Sequence, residues 1–400
     1  MIYAGIDWAD DHHDCVVINS EARVLNQFRV RHSSSGLAEL AQLLSKLGQP
    51  QQVACFVEIR QGILVNSLLE AGFLVYSVNP KLVEHSRAVS GAKTDTIDAL
   101  LLARYGLHQI DRLHRLEPDS PVIQELRELV RDQQAAIEEQ TRLLNQLSAC
   151  LKQYYPCALQ FFSNLNGKVA LAFLVEYPSV EHVRAIGYEH LAAFLHKRKH
   201  PRPRLTAQHI LSIVHDDPLT TNAITTRTKA RRMLTIVSQL TQLVEAISGY
   251  DEEIERLSLS HSDSMIFRSI PGAGKRLAPR LLAEWGDDRG RYACFESVAA
   301  LAGTSPVPFQ SGRMNRAHKR MACIKPFRDT LYKLAWMTTL REPWAAQYYE
   351  RKRKQGKSHS MAIRALSNVW VRIIHRMWMD RACYSRETFL NAQVRHQRVA

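Results

Sequence analysis

The first hundred residues carry apolar runs of strand length separated by polar turns. Ile2–Asp7 reads as a strand, Cys15–Asn19 and Val24–Val30 as two more, Val53–Val57 as a buried one and Phe73–Val78 as a fifth. Between them Leu37, Leu40, Leu43, Leu44 and Leu47 keep helical spacing, with Ser33–Ser35 available as caps. Ile63–Leu69 reads as a short helix, a further helix is expected after Asn79-Pro80, and the last spans GAKTDTIDALLLARYG from Gly91. The order β-β-β-α-β-α-β-α predicts a mixed α/β sheet flanked by helices.

The pattern then changes period. Ser120-Pro121, a cap followed by proline at the first helical position, opens a long helix. Ile123, Leu126, Val130, Gln133, Ile137, Gln140, Leu144, Leu147, Leu151 and Tyr154 follow alternating three- and four-residue steps, a heptad seam that Pro156 ends. A second seam runs through Met233, Val237, Leu240, Val244, Ile247, Ile254 and Leu257. Two such helices joined by a segment of roughly 60 residues predict a long antiparallel coiled-coil arm. From about residue 265, beginning SIPGAGKRLAPRLLAEWGD, a mainly α C-terminal domain is expected. The expected domains are 1–112, 113–262 and 263–400.

Charge separates these parts. Residues 1–110 hold 9 Lys and Arg against 11 Asp and Glu, residues 111–312 hold 24 against 23, and residues 313–400 hold 20 against 5. The net charge of +14 therefore lies almost wholly at the C-terminal end. Such asymmetry is the footprint of a polyanion partner, most often nucleic acid. Seven scattered cysteines without a C-x-x-C pair argue against a disulfide framework or structural zinc and for reduced thiols in the cytoplasm. No apolar stretch reaches membrane-spanning length, and MIYAGIDWADD lacks a signal-peptide pattern, so no membrane role is expected.

The acidic residues of the first domain need an explanation. Asp95 and Asp98 sit three apart on one helix face, where like charges repel. Capping by Thr94 or Asp95, with Asp98 near the positive end of the helix, is one account. A divalent cation is the other, and it needs further carboxylates. Asp7 closes the first strand and Glu58 the fourth, and strand ends in an alternating α/β sheet are where sites collect. Four carboxylates at one point require cations; two Mg2+ would orient a phosphodiester and stabilise attacking and leaving oxygens. The run Asp10-Asp11-His12-His13-Asp14 offers a second metal site or a solvated hairpin, and its place in a tight turn favours the hairpin.

With Asp7, Glu58, Asp95 and Asp98 in this order, the first domain resembles the ribonuclease-H-like fold of the RuvC resolvase type. The whole chain resembles the insertion-sequence DEDD transposases of the IS-one-ten family, bridge-RNA-guided recombinases with Piv-type DNA invertases as relatives. GIDWADDHHDCVV matches their first motif and KTDTIDALLLARYG their last, while Glu58-Ile-Arg-Gln-Gly62 is one residue longer than the usual spacing. The resemblance implies that Asp7, Glu58, Asp95 and Asp98 are catalytic metal ligands for Mg2+. It implies that the serine of Gln310-Ser311-Gly312 is a nucleophile, with Ser305 as the fallback; a serine hydroxyl needs such a setting to react. It further implies donor and target DNA, a structured guide (bridge) RNA, a homo-oligomer (dimer or tetramer), and a bacterial-type cytoplasmic protein that works at the nucleoid.

The basic end supplies candidate nucleic-acid contacts. Ile270-Pro-Gly-Ala-Gly-Lys275 resembles a helix–hairpin–helix turn, or is an ordinary glycine turn; Arg276 in place of Ser/Thr excludes a P-loop. Lys319, Arg320 and Arg328 follow the serine on what reads as a basic helix. Trp344, Tyr348 and Tyr349 precede Arg351, Lys352, Arg353 and Lys354, which suits base stacking plus phosphate neutralisation, or a helix with one apolar and one solvated face. The run from His196 to Arg204 is a solvated loop or a polyanion contact. Two other functions remain: a Mg2+-dependent RuvC-like junction resolvase with no role for Ser311, and a nucleic-acid-binding protein with an inactive catalytic domain, which four intact acidic positions disfavour. GIDWAD lacks the Gly-Thr phosphate loop of the sugar kinases that share the fold.

Overall fold

The computed structural model describes residues 1–59, 62–78, 94–113, 115–116, 119–216, 219–292, 294–311, 314–321 and 323–391. The helix expected after Asn79-Pro80 lies outside them. The chain forms two compact units, Met1–Ser120 with Asp288–Ala293, and Pro121–Asp287 with Cys294–Ala400.

The first unit contains strands β1 (Ile2–Trp8), β2 (His12–Ile18), β3 (Val24–Arg31), β4 (Val53–Val57) and β5 (Leu74–Ser77). Its helices are α1 (Ser34–Leu47), α2 (Ile63–Glu70) and α3 (Asp95–Gln109). The sheet order is β3-β2-β1-β4-β5, antiparallel from β3 to β1 and parallel from β1 to β5. This mixed sheet fits the ribonuclease-H-like expectation. Alternate side chains of a strand face opposite ways. Ala4, Ile6, Cys15, Val17 and Cys55 thus meet Leu37, Leu40 and Leu44 of α1 and Leu64 and Leu68 of α2. Tyr3, Val16, Ile18, Ala54 and Phe56 meet Ala99, Leu102 and Ala103 of α3. Ser33 caps α1, accepting from Gly36 N–H at 3.1 Å, and Thr94 caps α3, accepting from Ile97 N–H at 3.2 Å. With Thr94 as the cap, neither Asp95 nor Asp98 is needed for that task.

In the second unit, α4 (Pro121–Leu151) and α9 (Ala223–Ser260) pack side by side. Gln133 Nε2 donates to Asp251 Oδ1 at 2.9 Å, and Cys150 Sγ lies 3.5 Å from the Lys229 carbonyl. Rising along one helix descends the other, so they are antiparallel. Leu126, Val130, Leu147 and Leu151 of the first seam and Met233, Val237, Leu240 and Ile254 of the second are buried. The segment between the seams is itself folded into α5 (Lys168–Glu176), α6 (Val180–Arg184), α7 (Tyr188–Lys197) and α8 (Pro203–His215). These helices share one core with both long helices through Leu147, Tyr155, Phe173, Leu195, Ile210 and Leu240. The basic residues Lys197, Arg198 and Lys199 are exposed where α7 turns into α8.

The remainder holds α10 (Ser264–Arg268), α11 (Gly274–Trp285), α12 (Phe295–Leu301), a hairpin of β6 (Val307–Ser311) and β7 (Met314–His318), then α13 (Lys325–Thr339), α14 (Pro343–Lys354) and α15 (His359–Asp380). Trp285, Phe327, Trp370 and Trp378 are fully buried among these helices. The basic helix expected directly after Gln-Ser-Gly is absent there. Met314–His318 pairs with Val307–Ser311 as an antiparallel strand, and the helix starts only at Lys325. No helix among the described residues is long and apolar enough to cross a membrane.

Candidate active site

Strand register brings the acidic residues together. β1 and β4 run parallel with Gly5 opposite Phe56 and Ile6 opposite Val57. Asp7 and Glu58 therefore follow as neighbours at the carboxyl ends of the two strands. On its other side Asp7 pairs with Asp14 of β2, and Asp14 pairs with Arg29 of β3. By the two-residue alternation Asp7 shares the face of Tyr3 and Gly5, which α3 covers. α3 comes this close because Gly5 has no side chain. A Cβ there would fall 1.9 Å from the Ala99 carbonyl oxygen and 2.5 Å from the Ala103 nitrogen. Asp98, which is buried, and Asp95, which is half exposed, lie on the first turns of that helix.

The charges act on one another. Asp7 is raised from 3.8 to about 6, first by burial, then by repulsion from Asp98, Glu58, Asp95 and Asp14. All four carboxylates singled out from the sequence thus belong to one electrostatic cluster, and Asp14 is a fifth. A donor set of oxygens that repel until one takes a proton is what a divalent cation relieves. The residues present fit such an ion.

One edge of the cluster already has protein cations. Arg29 Nη2 lies 2.8 Å from Asp14 Oδ2 and 3.6 Å from Asp95 Oδ2. Thr96 Oγ1 donates to Asp14 Oδ1 at 3.3 Å. His12 Nε2 sits 3.3 Å from Asp95 Oδ2 and 3.6 Å from Asp14 Oδ2. Hydrogen bonds to Asp11 and then Asp95 hold the His12 imidazolium above its ordinary value. One ligand atom each from His12, Asp14 and Asp95 lies within 4.8 Å of the others. The hairpin reading of Asp10–Asp14 is corrected here. Only Asp10 and Asp11 are turn residues; His12 already begins β2, and His13 and Asp14 are buried. His13 Nε2 faces His32 Nδ1 at 2.8 Å, and burial pushes His13 down to about 4. The metal reading of His12 and Asp14 yields to the hairpin in the sequence because polar residues before Cys15 resemble a turn, and nothing near Arg29 in the chain points to the site. The signal was the two-residue period, which runs back from Ile18 and Val16 to Asp14 and His12.

Gly5→Ala tests the placement of α3. Overpacking of this kind costs about 2–3 kcal/mol, and a displacement of about 1 Å at a reacting centre costs about a hundredfold in rate. A lowered denaturation midpoint and lost activity are expected together; a stable, fully active Gly5→Ala protein would show that helix and strand do not need this closeness.

Comparison with known proteins identifies the chain. Residues 4–156 match the model of the DEDD-type IS110 transposases, and residues 264–350 match that of the "Transposase IS116/IS110/IS902 family". The chain belongs to this transposase family. Similar proteins include one described as a candidate mini-circle transposase for IS117 of Streptomyces coelicolor, 27% identical over 95% of this chain and 94% of that one. The 42 kDa protein of insertion element IS900 from Mycobacterium paratuberculosis is 27% identical over 96% and 97%. Among solved structures, T. thermophilus RuvC in complex with a Holliday junction substrate is similar at 18% identity and a TM-score of 0.24, covering 29% of this chain and 99% of that one. As a member of its family, the transposase is a DNA-acting recombination enzyme.

In the transposase's second unit, Ser311 ends β6 and pairs with Met314 at the tip of the hairpin, while Ser305 precedes β6 with its N–H donating to the Ala299 carbonyl at 3.2 Å. Gly312, which completes the Gln-Ser-Gly motif, lies outside the described residues. Lys275 is exposed on the first turn of α11, after a turn in which Gly272 and Gly274 have φ of 82° and 57°. Lys319 is exposed, and Arg320 and Arg328 are partly buried. Of the three aromatic residues expected to stack beside Arg351–Lys354, Trp344 is withdrawn from the surface, while Tyr348 and Tyr349 are partly exposed. Trp344 is buried against Trp370 and Phe389, and its indole N–H donates to Tyr384 at 2.9 Å. Tyr348 lies under the Arg351 and Lys352 cations at 5.2 and 5.5 Å from its ring centroid. Arg353 Nη1 donates to the Lys357 carbonyl at 2.8 Å. Apolar packing of α14 took Trp344 and left the cations at the surface.

Proposed function

We propose that this transposase excises and inserts an insertion element through a serine–DNA ester, with Asp7, Glu58, Asp95 and Asp98 as ligands for Mg2+. The observation that carries the metal reading is the convergence of Asp98, Glu58, Asp95 and Asp14 on Asp7, which burial first and their repulsion second push up to about 6. Bound there, Mg2+ would orient the scissile phosphate and offset charge on its oxygens. In the covalent step the Ser311 oxygen bonds to phosphorus while one strand's P–O bond breaks, and the serine proton ends on the departing oxygen. The bond energy is kept in the ester until a new strand hydroxyl attacks and returns the proton to serine. Donor and target DNA, a structured bridge RNA and assembly into a dimer or tetramer complete the reading, with the protein acting on nucleoid DNA in a bacterial cytoplasm. Strand cleavage should require Mg2+ and stop in EDTA; full activity in excess chelator would remove the metal from the mechanism. A plain resolvase would cleave without any protein–DNA adduct.

Lys275, Lys319, Arg320, Arg328 and Arg351–Lys354 are the proposed nucleic-acid contacts. For phosphates held by exposed cations, log affinity falls linearly with log salt, by about 0.7–0.9 per contact. Replacing Arg351, Lys352, Arg353 and Lys354 together by Ala should flatten that slope by two contacts or more. An unchanged slope would mean that this run is merely solvated.

A further inference from the structure

The second unit contains a pocket of about 270 Å³ whose lining includes Lys319, Lys325, Arg328 and Arg364 together with Thr304 and Ser360. Its one carboxylate, Asp329, is engaged by Lys333 at 2.7 Å. Among the described residues, no ion pair is found for Lys319, Lys325 or Arg364. The walls come from the starts of two helices. Lys325 and Arg328 lie on the first turn of α13, and Ser360 and Arg364 on the first two turns of α15. Helix starts carry partial positive charge and favour anions. The third wall is rigid. Gly303 has φ of 64°, and a Cβ there would meet Cys323 Sγ at 2.7 Å, which presses the loop bearing Thr304 onto the approach to α13. Thr304 is buried, its hydroxyl within 3.3 Å of the Ala299 carbonyl and Asn368 Oδ1.

Four cations converging on one concavity repel, so the arrangement wants an anion as the carboxylates of the first unit want a cation. Size limits what the anion is. Pockets for drug-sized ligands run from about 300 to 1,000 Å³; this one falls just below that range, has ample room for a phosphate group, and its cationic lining favours that group over a neutral base. We propose that it seats a single backbone phosphate of the DNA strand on which the transposase acts, gripped by Lys319, Lys325, Arg328 and Arg364. The proposal rests on the reading of the C-terminal unit as DNA-binding and deepens it. Scattered surface cations would neutralise several phosphates in many registers; a pocket holds one phosphate in one register, and so positions the strand.

The test uses the full-length protein in EDTA, so that binding is read without chemistry and independently of any serine adduct. Wild type and Lys325→Gln/Arg364→Gln are compared on one DNA across a range of salt. Seating of one phosphate predicts that the double variant loses about 0.7–0.9 from the slope, the value of one contact. A scan with neutral methylphosphonate linkages should weaken wild-type binding at one position and leave the variant indifferent there. Inorganic sulfate should raise the melting temperature of the wild type saturably and that of the variant not at all. An unchanged slope, a loss worth two separate contacts, or a loss seen only with RNA of the same sequence would each overturn the proposal. If the wild type itself binds no DNA, the broader reading of the unit fails instead.

Discussion

Asp7→Asn should lower strand cleavage by about a thousandfold or more while making the metal-free protein more stable at neutral pH. The first effect follows from removing a ligand: metal stabilisation of the transition state is worth several kcal/mol, and about 4 kcal/mol is a factor of about a thousand. The second follows from the upward shift of Asp7 to about 6. A carboxyl whose folded value lies above its unfolded value binds its proton more tightly in the folded state. The charged form then costs stability; the cost is absent below about pH 4, grows between about pH 4 and 6, and is complete above it. Two units correspond to about 3 kcal/mol at most, and solvent around a half-buried group reduces this to about 1–2 kcal/mol. Asn carries no charge, so its gain should vanish in acid and be full above pH 6. Mg2+ at about 100 times its Kd should stabilise the wild type by about 2.7 kcal/mol and the variant by much less. Thermal melts in EDTA and in Mg2+ at acid and neutral pH read all three. Normal cleavage by Asp7→Asn, or no stability gain at neutral pH, would undo the assignment.

Ser311→Ala should bind DNA as the wild type does, form no covalent adduct and give no recombinants. A nuclease that activates water releases both ends, and rejoining them then needs another energy source. A serine ester avoids this, because the phosphate stays bonded to the protein until a new hydroxyl attacks. Loss of the oxygen removes that route completely, so the expected fall in recombination reaches the detection limit. Trapping on a nicked substrate, followed by a denaturing gel and peptide mapping, locates the linkage. Normal recombination by Ser311→Ala would remove serine from the reaction; an adduct mapped to Ser305 would keep the mechanism and move it six residues upstream.

The acidic set was legible because strand ends and helix starts are written locally. Asp7 ends an apolar run, Glu58 ends another, and Asp95 and Asp98 stand three apart before Ala99-Leu100-Leu101-Leu102. The sequence also determined the sheet-forming elements, the seams of the two long helices and the placing of positive charge after residue 312, since periodicity and composition are properties of the chain itself. What it could not carry was contact between distant segments. Pairing of β2 with β3 brought Arg29 to Asp14, and only that register turned His12–Asp14 from part of a turn into a wall of the site. The same holds for Trp344, whose neighbours Trp370 and Phe389 are far along the chain: burial, decided by packing, withdrew it from the surface. Gly5 looked like any strand glycine until Ala99 and Ala103 were found against it. Nor did the cations at 319, 325, 328 and 364 form a pocket on paper; two helix starts had to meet before their charges shared one space. Local spacing is set by bond geometry, whereas repulsion, desolvation and close approach depend on distances through space, and those exist only once the chain has folded.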